Sequence, residues 1–188
     1  MSLIVKNEGV KREKPMLGMH NAICCFVEDI GTQMMKTIYG NKLQHKVVIV
    51  WEIDENMKEG KYAGKPFMVS KIYTFTLFQK GNLSKDLESW FSKKMSDKTR
   101  NEGFDLKTLI GRKCQINLIE SDDGEYINIG SVLPANSSNQ LFQVCTDCPE
   151  WISKKRAQSI EATQQPGSDP SEPPIEEPNF PQEDDLPF

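Results

Sequence analysis

Lys46-Val47-Val48-Ile49-Val50-Trp51-Glu52-Ile53 is the stretch on which the fold turns. Val47, Ile49, Trp51 and Ile53 recur at period two and form one fully apolar face, while Lys46 and Glu52 mark the other. That pattern predicts a β-strand. Upstream, His20–Asp29 is rich in apolar and β-prone residues (Ile23, Cys24, Cys25, Phe26, Val27) and predicts a strand before it. Downstream, Pro66–Phe78 predicts a longer one, with Tyr73, Thr74, Phe75 and Thr76 all favouring extended backbone.

The period then changes. Leu83, Leu87, Trp90, Phe91 and Met95 stand at helical spacing. This predicts a helix opened by Ser84 as N-cap, supported by Glu88 and ending near Asp97. A shorter helical turn is expected over 103–111, capped at Asp105 and stopped by Gly111. Lys113–Glu120 and Tyr126–Leu133 read as two strands joined by Ser121-Asp122-Asp123-Gly124, because Asp-Gly between β runs signals a hairpin. Pro149–Ser159 reads as a short surface helix with Pro149 in its first turn. The order β-β-β-α-β-β predicts a mainly β protein, a barrel with one or two helices. It is the order of the OB-fold, a Greek-key barrel that binds oligonucleotides. Other α+β arrangements share the order and remain open.

Charge divides the chain of 188 residues. Its net charge is −4, yet no Lys or Arg follows Arg156. Segment 161–188 holds eight of the 27 acids, which leaves 19 acids against 23 bases, a net +4, in the first 160 residues. A basic body joined to an acidic tail points to a polyanion partner. Residues 1–15 read as a flexible arm, 16–160 as the folded domain and 161–188 as a tail. Seven of the eleven prolines lie in the last 27 residues, without a large apolar cluster before the end, so that segment is expected to be disordered. The first residues, MSLIV running into Lys6, do not read as a signal peptide, and no apolar stretch nears the ~18 residues that span a membrane. The five cysteines therefore suggest a reducing cytoplasm.

The last residues read as a docking peptide. Phe188 joins an aromatic ring to a carboxylate, Pro187 restricts the backbone beside it, Leu186 adds apolar area, and Asp184 and Asp185 suit a basic rim. Asp184-Asp185-Leu186-Pro187-Phe188 resembles the tip of bacterial single-stranded DNA-binding proteins, where Asp-Asp-Ile-Pro-Phe ends the chain, with Leu in place of Ile. The body lacks that family's N-terminal strand pattern. It is more similar to phage-encoded single-stranded DNA-binding proteins of OB type, through Tyr73-Thr74-Phe75-Thr76-Leu77, Leu87-Glu88-Ser89-Trp90, Gly103-Phe104-Asp105-Leu106, Leu109–Cys114 and Pro149-Glu150-Trp151-Ile152. This resemblance spans about residues 20–156 and implies a protein that coats single strands in replication or recombination. It also implies that the tip recruits replication, recombination or repair proteins in a bacterial host cytoplasm.

Coating single strands needs cations for phosphates and aromatic faces for bases. Lys58, Lys61, Tyr62, Lys65, Phe67, Lys71, Tyr73 and Phe75 interleave the two between the second and third strands. Lys36, Tyr39, Lys42 and Lys46 offer a second edge. On the third strand Phe67, Val69, Lys71, Tyr73 and Phe75 share one face, so Tyr73 and Phe75 read equally as core. Tyr39 and Tyr62, in polar loop-like stretches, are the better stacking candidates. The tail is expected to occupy the body as a weak intramolecular competitor.

No catalytic constellation stands out, so an enzyme is not expected. Cys145-Thr146-Asp147-Cys148 is half of a zinc site, which only His20 with Cys24-Cys25 could complete across the fold. Glu52, Asp54, Glu55, Asp122, Asp123 and Glu125 form no coherent set of metal carboxylates for a nuclease. No cofactor is implied, and the oligomeric state stays open, a homo-oligomer included. The alternative function is an interaction protein that mimics a host protein's tail and binds no DNA.

Overall fold

The computed structural model describes residues 13–37 and 40–159. These form one five-stranded antiparallel sheet with three short α-helices. The strands are β1 (Gly18–Thr37), β2 (Gly40–Asn56), β3 (Pro66–Thr74), β4 (Lys113–Glu120) and β5 (Ile127–Pro134). Between β3 and β4 lie α1 (Asn82–Trp90), α2 (Asp97–Glu102) and a 3-10 turn (Leu106–Leu109), and α3 (Glu150–Ala157) comes last. Neighbours in the sheet run β3-β2-β1-β4-β5. The two end strands, β3 and β5, also come into contact, so the sheet curls on itself, and α1 packs against both.

β1 is twice the length expected, 20 residues. Its start, Gly18–Ile23, pairs with β4, and bulges at Cys24/Phe26 and Asp29/Gly31 then bend it away. A bulge adds a residue on one strand and raises the local twist, so a single strand can serve two parts of a curled sheet. Beyond the second bulge β1 pairs, among the described strands, with β2 alone. Thr32–Thr37 and Gly40–His45 therefore continue as a two-stranded ribbon.

The expected face of β2 forms the core. Val47, Ile49, Trp51 and Ile53 are buried with Cys24, Tyr73, Leu87, Trp90, Ile116 and Val132. Trp51 is 0% exposed and its ring lies 6.0 Å from that of Trp90. The other face, which Lys46 and Glu52 mark, is buried too, with Val48, Val50 and Glu52 inside. Val48 and Val50 join Cys25, Ile30 and Ile152 in a second apolar cluster under α3.

The helical region also departs from expectation. β3 stops at Thr74, four residues early, and the chain turns before α1, where Gly81 N–H donates to Phe78 O at 2.8 Å. Gly81 thus occupies the N-cap without a side-chain bond, and Ser84 sits buried inside the first turn. The helix does not run on to Asp97. It ends at Trp90, Ser92 adopts a positive φ of 48°, and α2 starts anew behind Ser96, whose hydroxyl accepts from Thr99 N–H at 3.2 Å. Glu88 links the two helices: its carboxylate accepts from Met95 N–H at 2.9 Å and pairs with the Arg100 guanidinium at 2.5 Å. The 3-10 turn is capped by Asp105 as expected, and the β4–β5 hairpin turns at Ser121–Gly124.

Between β5 and α3 the chain runs as a strap without regular structure. Asn139, 4% exposed, fixes its start by donating from Nδ2 to Ala22 O and Cys114 O, both at 3.0 Å. Glu52 fixes its middle, accepting from Val144 N–H at 2.8 Å and Cys145 N–H at 2.5 Å. Ile152 closes it onto the second cluster, and Arg156 pairs with Glu28 at 2.5 Å.

Candidate nucleic-acid interface

The β2–β3 loop, residues 57–65, is tightly built. Met57 N–H donates to Lys65 O at 2.9 Å and Gly64 N–H to Met57 O at 2.7 Å. Gly60 and Gly64 have φ of 80° and 82°, a backbone region that side chains rarely adopt. The Glu13 carboxylate accepts from Lys58 and Glu59 N–H, which ties the loop to the start of the described chain. This frame presents Tyr62, 50% exposed, with Lys61 Nζ 5.5 Å and Lys65 Nζ 5.8 Å from its ring centroid. An aromatic ring and two cations thus share one exposed turn. The positions form the kind of platform on which a base stacks while its phosphates meet ammonium groups.

The outward face of β3 continues from this loop, with Met68, Ser70, Ile72 and Thr74 exposed. Beyond its end, Thr74, Thr76, Phe78 and Asn82 line a cleft of about 230 Å³ together with Lys46 and Ile72. Lys46 is 8% exposed and donates to Thr74 Oγ1 at 3.0 Å. Its burial lowers its pKa.

The other sequence candidates divide. Tyr73 is 2% exposed, and its hydroxyl donates to Asp86 Oδ2 at 2.8 Å. Burial, with Asp86 beside it, pushes its phenol pKa up. The reading of Tyr73 as core is the one realised, because its face of β3 turns inward. Lys71 pairs with the same Asp86 oxygen at 2.7 Å, so its charge is largely met within the fold. Phe75 lies just past β3, half exposed, tilted against His45 at 5.1 Å. Lys36 and Lys42 are exposed on the ribbon. Lys36 pairs with Asn41 and Met35 with Lys42, which puts the two lysines on opposite sides of the ribbon. Tyr39 and the tip residues Asp184, Asp185, Leu186, Pro187 and Phe188 lie outside the described residues, as do most of the arm and the tail from 161 on.

One pair was missed in the sequence. Lys113 Nζ stands 5.1 Å from the ring of Phe142, which is 78% exposed on the strap. Only a fold that lays the strap across β4 brings residues 113 and 142 together, so no local pattern announced it.

Among the described residues no group of three or more His, Cys, Asp or Glu converges on a metal position. His20 instead faces Asp54 at 3.2 Å, and Cys24 and Cys25 are buried. Burial, then hydrogen bonding to Glu52, pushes the Cys145 thiol up to about 11, and burial raises Cys148 too. Both shifts favour the neutral thiol over the thiolate. No helix among the described residues is long and apolar enough to cross a membrane.

No protein-family model matches the chain, and the search of curated proteins returns no match.

Proposed function

We propose that this protein binds single-stranded DNA without sequence preference, through an OB-type barrel, and recruits other proteins through Asp184–Phe188. The strand order, the contact of β3 with β5 and the helix between β3 and β4 support the barrel reading. The observation that carries the DNA reading is the β2–β3 loop. There an exposed Tyr62 and two lysines are held on a rigid turn beside the open face of β3. The net +4 of the first 160 residues supplies the wider attraction.

Tyr62→Ala is expected to weaken oligo-dT binding about tenfold, the loss of one stacked base at roughly 1–3 kcal/mol. Lys61→Ala with Lys65→Ala is expected to flatten the slope of log K against log[salt] by about 0.7 per lost phosphate contact. Unchanged affinity in the first variant and an unchanged slope in the second would remove this loop from the interface. Deleting 162–188 is expected to leave affinity intact or tighter, because it removes seven acids that compete with phosphates. Binding that vanished on this deletion would reverse the roles given to body and tail.

One observation favours the alternative, an interaction protein that binds no DNA. The strap and α3 cover the outer face of β1 and β2, so that β3 and the loop alone present open sheet surface there. Salt-dependent binding of oligo-dT separates the two readings.

A further inference from the structure

We propose that the pocket between α1 and α2 seats the Leu186–Phe188 peptide of the same chain. This rests on the reading of that peptide as a docking element and names a resting place for it.

The pocket holds about 180 Å³ and is lined by Leu87, Phe91, Met95 and Phe104, together with Glu88, Lys93, Lys94, Ser96 and Thr99. A cavity of about 150 Å³ with apolar walls accepts benzene, so this volume suits one phenyl ring. Its aromatic wall is preset. Phe91 meets Phe104 edge-on at 6.0 Å, and the Arg112 guanidinium stacks 5.2 Å over Phe91. The one acid in the lining, Glu88, is neutralised by Arg100. Lys93 and Lys94 are exposed, and neither forms an ion pair among the described residues. An apolar hole with two lysines in its lining calls for an apolar group flanked by acids.

Segment 160–188 supplies that chemistry, with Asp184 and Asp185 immediately before Leu186-Pro187-Phe188 and no base anywhere in it. Reach does not limit the contact. The segment leaves from Ser159, whose hydroxyl accepts from Thr32 N–H at 3.0 Å. Its 29 residues can extend ~90 Å, several times the ~15 Å radius of gyration of a domain this size. The cleft beside Lys46 is the poorer seat, because it is lined by Thr74, Thr76 and Asn82 and its lysine is already bonded. A tip stored between α1 and α2 is withheld from partners.

The test places the photoreactive analogue p-benzoylphenylalanine at position 188 of the full chain and maps cross-links by mass spectrometry. Cross-links are expected within one chain, to residues 87–104. Their yield should fall about threefold in Lys93→Glu with Lys94→Glu, the effect of losing exposed ion pairs. Cross-links to 57–78 or to the ribbon, cross-links only between chains, or none at all would overturn the proposal. Oligo-dT binding by the same preparation is read separately. Its presence beside a failed cross-link leaves the proposed function standing, and its absence beside a successful one overturns that function alone.

Discussion

Trp51→Ala is expected to destabilise the fold by about 3–5 kcal/mol, the largest effect of any single change considered. Trp51 is the bulkiest fully buried side chain, at 0% exposure. It lies in the central part of the sheet, opposite Cys24 on β1 and Val69 on β3, and its ring meets Trp90 of α1. Alanine there opens a cavity that three strands and a helix can close only by shifting together. Packed interiors collapse incompletely around such losses, so the cavity cost adds to the lost transfer energy. Urea denaturation should show a lower midpoint with an unchanged slope, the sign of altered stability rather than altered compactness. Trp51→Phe retains most of the volume and should lose less than half as much. A midpoint within error of the parent in Trp51→Ala would mean that the strands do not pack as described.

Glu52→Ala is expected to cost about 3 kcal/mol, by a different mechanism. Glu52 is 2% exposed, and its two carboxylate oxygens accept from Val144 and Cys145 N–H. Bonds from an amide to a carboxylate are among the stronger kinds, and the variant loses two of them. The strap should loosen before the sheet does. Amide exchange at Val144 and Cys145 is therefore expected to accelerate well beyond that of Val48 or Val50, which global unfolding alone would not produce. Glu52→Gln keeps one carbonyl acceptor and should fall between the two. Exchange that rises uniformly across the sheet would show that Glu52 acts on the core and not on the strap.

Glu52 also shows why part of the fold was legible and part was not. The Val47, Ile49, Trp51, Ile53 alternation correctly identified a strand and its core face, because period two is a local property. Lys46 and Glu52 marked the second face without telling what covers it, because its burial by Ile152 depends on residues about a hundred positions away. The unbroken run Val47-Val48-Ile49-Val50 was the available hint, since continuous apolar strands are those covered on both sides. Ser84 failed for a neighbouring reason. Serine before a helical pattern is a sound N-cap signal, but the early end of β3 moved the start of α1 to Asn82 and drew Ser84 inside.

The candidate site followed the same division. Tyr62 with Lys61 and Lys65 was legible because three residues of one short loop are near each other in any fold. Tyr73 was ambiguous by parity alone, and the inward turn of its β3 face decided it. Lys71 lost its free charge to Asp86, fifteen residues on, a pairing that only the packing of α1 against β3 creates. Lys113 and Phe142 were invisible because the strap has no periodicity to read.

The central claim is that the body binds single strands through charge and stacking. Titration of the full chain with fluorescent oligo-dT at several salt concentrations tests it most directly. The account expects binding that weakens linearly in log K against log[salt], with little difference between oligo-dT and a mixed sequence. No binding at low salt, or binding indifferent to salt, would contradict it.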